Sequence, residues 1–143
     1  MKQFLVLLAI LPLMLVFFVQ FSMDQINSSR IGLLSDMVYA AKEEAKQEGC
    51  FTQKIRDDLR ANIARQFDID PDTILIDATE TVQYRLMSAD GYSESDWERG
   101  LIHYRVEVPI GEMMAGRRLF GIEADENTYM YVIDSYTASE KLP

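Results

Sequence analysis

The chain has 143 residues, 48% of them hydrophobic, and a formal net charge of −9 from 14 basic and 23 acidic side chains. Lys2 is the one basic residue before Asp24, so the part after Met23 carries 13 basic against 23 acidic side chains, a formal charge of −10. That balance argues against nucleic acid or anionic lipid as partner, since both need a basic footprint, and a single cysteine, Cys50, excludes an intramolecular disulfide.

From Phe4 to Met23 the sequence reads FLVLLAILPLMLVFFVQFSM, with no charged side chain. Roughly 20 residues at about 1.5 Å rise cover about 30 Å, the hydrocarbon thickness of a bilayer, so residues 1–23 are predicted to form a transmembrane helix. The α-amine and Lys2 lead this run and Asp24 opens the far side. Positive-inside logic then puts the N-terminus in the cytoplasm and the remainder outside a cell membrane crossed once. A cleaved secretory signal is the competing reading. It fits less well, because the apolar run is long and Val19-Gln20-Phe21-Ser22-Met23 offers large side chains where a peptidase needs small ones.

The helix is predicted to continue. From Asp24 to Glu48 there is no proline, and Ile31, Leu34, Val38, Ala41 and Ala45 recur at spacings of three and four, an apolar stripe able to seat a head domain on its own rod. Asp36, Lys42, Glu43 and Lys46 fall off that stripe, Glu43 and Lys46 forming an i,i+3 pair of opposite sign, and Gly49 is the expected stop. Residues 24–49 thus extend the membrane helix into one rod of about 45 residues and roughly 68 Å. Pro12 is expected to bend it within the membrane, and Gly32, near Ser28 and Ser29, is a second soft point. Asn27-Ser28-Ser29 also matches a glycosylation acceptor, a pattern of little weight so close to a membrane.

Residues 50–143 are read as an α+β head outside the cytoplasm. Thr52 is a good N-cap for a second helix whose stripe is Ile55, Leu59, Ile63 and Phe67, ended by Asp68-Ile69-Asp70-Pro71-Asp72-Thr73. The period then changes to two. Ile74, Ile76 and Ala78, followed by Val82, Tyr84 and Leu86, predict one long or bulged strand, and Ile102, Tyr104, Val106 and Val108 predict a second that turns His103, Arg105 and Glu107 to solvent. Tyr129 to Tyr136 is a third, apolar on both faces, which gives an antiparallel sheet of three to four strands with one face covered by helices.

Chemistry is harder to find. Asp68, Asp70 and Asp72 match the first positions of a calcium loop, but Thr73 stands where that loop needs Gly and Thr79 where it needs a bidentate Glu. Gly111 to Arg118 has the glycine spacing of a phosphate-binding loop without its Lys-Ser/Thr ending. One histidine, His103, and one cysteine, Cys50, make no two-histidine metal site, and nothing supports their pairing as a nucleophile couple. No cofactor, metal or small-molecule substrate is expected, and no enzymatic activity.

The layout is the informative feature. An N-terminal apolar helix, the stretch Val38-Tyr-Ala-Ala-Lys-Glu-Glu-Ala-Lys46, and the helix, strand, strand order after it resemble the TadE-like minor pilins of tight-adherence pilus systems, within the type IV pilins and pseudopilins. The likeness covers the first half of the chain well and the head in outline. It implies a structural subunit of a pilus-related assembly, secretion or DNA-transfer apparatus, with the membrane and other pilin-like subunits or assembly-platform proteins as partners. Ala9, Pro12 and Gln20 are the candidate positions for helix packing in the membrane, and Tyr92 and Trp97, in the acidic loop, the candidate partner contacts. The family's usual Gly before the apolar run and its early Glu have no counterpart before Asp24, which fits a subunit that stays in the membrane at the base or tip of the machine. The alternative reading is a single-pass anchored binding or sensing domain outside the cytoplasm.

Overall fold

The computed structural model describes residues 1–86, 99–115, 117 and 121–143. Helix α1 spans Lys2–Glu48 as one unbroken element that passes through Pro12, and helix α2 spans Gln53–Phe67. A short 3-10 turn, Pro71–Thr73, leads into three strands: β1 (Leu75–Ala78), β2 (Leu101–Glu112) and β3 (Thr128–Ala138). They form one antiparallel sheet in the order β1-β2-β3, so the longest strand is central. The class is α+β, with a long N-terminal helix, a second helix and a three-stranded antiparallel sheet.

Each boundary has a local cause. At the end of α1, Gly49 takes the left-handed conformation (φ 81°) and its N–H closes on the Ala45 carbonyl at 2.8 Å. The Thr52 hydroxyl accepts from the Ile55 N–H and starts α2. Asp68 ends α2 in the same left-handed conformation, one that Asp tolerates better than most residues, and Asp70 then accepts from the Asp72 N–H at 2.9 Å. Asp68, Asp70 and Asp72 therefore make a helix-to-strand turn, and among the described residues no three His, Cys, Asp or Glu side chains gather as a metal site would need.

The core lies between the helices and one sheet face. Leu34, Val38, Ala41 and Ala45 of α1 are buried together with Ile55, Leu59, Ile63 and Phe67 of α2 and Ile102, Tyr104, Val106, Val108 and Ile110 of β2, with Ile31 packed against the edge of this cluster. Phe51, fully buried in the link between the helices, packs against Tyr104 with ring centroids 5.6 Å apart. From residue 101 to 110 of β2 the alternation is complete, even-numbered residues buried and their neighbours half-exposed.

One predicted strand differs from that observed. The long strand expected to run through Val82, Tyr84 and Leu86 ends at Ala78. Beyond it the chain leaves the sheet, and its backbone finds other partners: the Gln83 N–H donates to Gly49 and the Arg85 N–H to Lys141, leaving Val82, Tyr84 and Leu86 exposed. The third strand carries apolar residues on both faces, of which one is covered: Tyr129, Tyr131 and Ile133 lean toward the core while Met130, Val132 and Tyr136, with Asp134, are exposed on the open face.

Pro109 explains an irregularity in the central strand. Its lost N–H is tolerated because β1 pairs only with Tyr104–Glu107, so no strand flanks Pro109 on that side. Pairing to β3 slips at this point, Pro109 opposite Met130 and Gly111 opposite Tyr129, which leaves Ile110 as the extra residue of a bulge.

Candidate functional site: the apolar helix and its junction with the head

The first half of α1 is an apolar rod that the described residues leave bare. Its best 18-residue window has a mean hydropathy of 2.8 with none of it buried, and Phe4, Leu7, Leu11, Phe17 and Phe18 are among its exposed side chains. By length and composition this helix can cross a membrane. Leaving so many large apolar side chains in water would forgo about 1.5 to 3 kcal/mol for each, so the segment is suited to lipid or to packing against other helices. Ala9 and Pro12 lie exposed on this bare surface.

Gln20 is placed differently. Its side-chain nitrogen donates to the Met113 carbonyl at 3.0 Å and its oxygen accepts from the Ala115 N–H at 2.9 Å. One helical face higher, the Asn27 amide donates to the Glu112 carbonyl at 3.0 Å, and Arg30 donates to the Ile110 carbonyl. These three side chains solve a local problem. Past Glu107 the central strand has lost its β1 neighbour, and beyond Pro109 its pairing to β3 slips; there α1 supplies side-chain donors to the Ile110 and Glu112 carbonyls. Gly111 stands at the closest approach, where a Cβ would meet the Asn27 side-chain oxygen and push that amide aside. Asn27 is the acceptor residue of the glycosylation pattern, and the nitrogen that a glycan would occupy is committed to Glu112.

Above this clamp the contact turns apolar. Ile31, Leu34, Val38, Ala41 and Ala45, the five positions of the predicted stripe, pass up the core in order, the last four buried. At the top, Lys46 bridges Glu43 at 3.2 Å and Glu140 at 2.8 Å, the Glu140 N–H donates to the Lys46 carbonyl, and the tail after β3 is thereby tied to the rod. Lys42 and then Lys46 hold the Glu43 carboxyl below its ordinary value of 4.5, while Glu140 and Glu43 raise the Lys46 ammonium. A depressed carboxylate adds stability that is present above its unfolded value and is lost as pH falls through the folded one. Unfolding midpoints are therefore expected to fall as pH drops below about 4.5, with part of that slope removed in Glu43→Gln. An unchanged slope in the variant would remove Glu43 from the account.

On the open face of the sheet His103 Nε2 lies 2.8 Å from Asp134, Arg105 bridges Asp134 at 3.4 Å and Glu107 at 2.6 Å, and the Tyr136 ring stacks beside His103. Glu107 raises the Arg105 guanidinium further above its ordinary value. This is a satisfied, half-exposed surface network of cross-strand pairs. Cys50, by contrast, is buried beside the end of α1. Tyr92 and Trp97, and the acidic residues Glu94, Asp96 and Glu98 around them, lie outside the described residues, as do Gly116 and Arg118 of the glycine-spaced stretch. Its first glycine, Gly111, belongs to strand β2.

Comparison with family models, with curated proteins and with solved structures finds no match.

The residues that sequence reasoning missed at the junction are Asn27 and Arg30. A signal existed in the form of their spacing: Gln20, Asn27 and Arg30 extend downward, with polar side chains, the same face that Ile31 to Ala45 continues upward. Reading that face for apolar residues alone hides it.

Proposed function

We propose that the chain is a membrane-anchored, pilin-like structural subunit of a type IV pilus-related assembly or secretion apparatus, with the apolar half of α1 as its packing element. The observation that supports this reading is the division of one continuous helix, Lys2–Glu48, into a bare apolar half and a half built into the head. A head that is rigidly continuous with its membrane helix transmits position, so that wherever the helices pack, the heads are set in register. In the resting state the apolar half lies in lipid; in the assembly the same surface packs on sister helices, Ala9 permitting close approach and Pro12 interrupting the backbone ladder. The cytoplasmic N-terminus and the extracytoplasmic head belong to this proposal.

Replacement of Ala9 or Pro12 by Phe separates it from the simpler reading of an anchored binding or sensing domain. A packing subunit is expected to lose assembly in both variants, read as the yield of surface fibres released by shearing, while the level of the chain itself in the membrane, measured by intact mass, is unchanged. An anchor tolerates any apolar replacement. An unchanged fibre yield in both variants would favour the anchored domain and overturn the structural-subunit reading.

A further inference from the structure

The head reaches down to Gln20, and Gln20 lies inside the uncharged run from Phe4 to Met23. Between Phe4 and Val19 there are 16 residues, about 24 Å of helix, against a hydrocarbon core of about 30 Å. If the bilayer takes the whole uncharged run, the turn after β2 is carried with Gln20 below its outer boundary. We propose that this turn, Met113 to Ala115, is a second membrane contact of the head, inserted at the boundary between headgroups and acyl chains. It rests on the membrane reading of α1 and adds to it a site in the head.

The chemistry of the turn suits that depth. Met113 is 48% exposed and presents an unbranched apolar side chain at the level of Gln20, whose sequence neighbour Phe21 is 63% exposed. The backbone groups of the turn are paired from the Met113 N–H through the Ala115 N–H: the Met113 N–H donates to the Asn127 carbonyl, the Met114 N–H and carbonyl pair with the buried Asn127 side chain, and Gln20 takes the Met113 carbonyl and the Ala115 N–H. A turn whose peptide groups are paired loses little when water is withdrawn from it, which is the condition that bars ordinary loops from this depth. Tyr129 and Asp24 border the open cleft beside Met113, and a Tyr at that level matches the aromatic belt of membrane proteins. Among the described residues, Glu112 beside the turn pairs with Arg117 at 3.7 Å, and Asp24, one helical turn from Gln20 toward the head, accepts from it. The ligand is the apolar margin of the bilayer, so zwitterionic lipid suffices, in keeping with the acidic charge of the head.

The test uses the full chain in phosphatidylcholine nanodiscs with a nitroxide at a single cysteine, in a Cys50→Ala background, comparing Met113→Cys, Leu11→Cys within the span and Lys54→Cys at the start of α2. Collision with oxygen reports lipid and collision with a nickel chelate reports water. The expected result is a Met113 label rich in oxygen contact and at least about tenfold less open to nickel than the Lys54 label, a shift toward the Leu11 value. A Met113 label as open to nickel as Lys54, with Leu11 still shielded, would overturn the contact and leave the membrane span standing. Nickel access at Leu11 as well would overturn both.

Discussion

Replacing Gly49 by Ala is expected to destabilise the head by about 3 kcal/mol, the sum of a left-handed backbone penalty of about 1 to 2 and an overpacking penalty of similar size. Gly49 has φ 81°, and a Cβ built there falls 2.5 Å from the Gln83 carbonyl oxygen, which is backbone and cannot swing aside. The position is also a crossing point. Its N–H closes α1, its carbonyl accepts from Gln83, and the Gln83 carbonyl in turn accepts from the Ser139 hydroxyl at 2.6 Å, so one methyl group disturbs the helix end, the segment after β1 and the C-terminal tail together. Gly121 provides the comparison: φ is 70° but a Cβ there meets nothing within 4 Å, so Gly121→Ala should cost only the backbone part. Urea unfolding of the two variants in detergent micelles measures the difference. Equal costs would mean that the Gln83 contact yields without penalty.

That hub was half legible in the sequence. Gly49 announces itself because a glycine after a long periodic segment is a stop signal that depends on local conformation alone, and the same holds for Thr52 and for the turn at Asp68 to Thr73. Its partner Gln83 does not. Val82, Tyr84 and Leu86 alternate as a strand would, but an alternating pattern shows only an extended chain with two different sides, and whether a sheet edge, a helix end or a tail receives its backbone is decided by parts of the chain far away in sequence. Here the Gly49 carbonyl and Lys141 received it. The bulge at Ile110 and its supply by Arg30, Asn27 and Gln20 were hidden for a related reason: the acceptors are backbone carbonyls, which every residue owns, so no residue type on β2 marks them. The apolar stripes were easy by comparison, since Ile31 to Ala45 and Ile55 to Phe67 must each be buried by something, and two such stripes beside a sheet leave few arrangements.

The rod and the head hold together through two kinds of contact, and Leu34 decides which dominates. The clamp of Gln20, Asn27 and Arg30 consists of hydrogen bonds that replace bonds to water, worth about 0.5 to 1.5 kcal/mol each in net terms. Leu34 is fully buried among both helices and the sheet, and deleting most of its side chain removes the transfer energy and leaves a cavity, a cost of about 2 to 5 kcal/mol for Leu→Ala in a core. Leu34→Ala is therefore expected to lower stability more than Gln20→Ala or Asn27→Ala, and to loosen the head on a rod that stays helical. Leu33 tests the geometry: one residue away on the same helix it is 41% exposed, and Leu33→Ala should stay within about 0.5 kcal/mol of the parent. Urea midpoints give the energies, and hydrogen exchange separates the parts, with protection lost across β2 and α2 but kept in Phe4 to Val19 within lipid. A larger loss in Gln20→Ala than in Leu34→Ala would reverse the order and make the polar clamp, not the apolar seat, the joint between membrane helix and head. The distinction bears on assembly, because apolar packing holds in water and at a lipid surface alike, whereas a clamp of exposed polar side chains strengthens as the bilayer excludes water from it. With Leu34 as the main joint, the head keeps its angle to the helix wherever the subunit is; with Gln20 as the main joint, the angle would be fixed only while the chain is in the membrane.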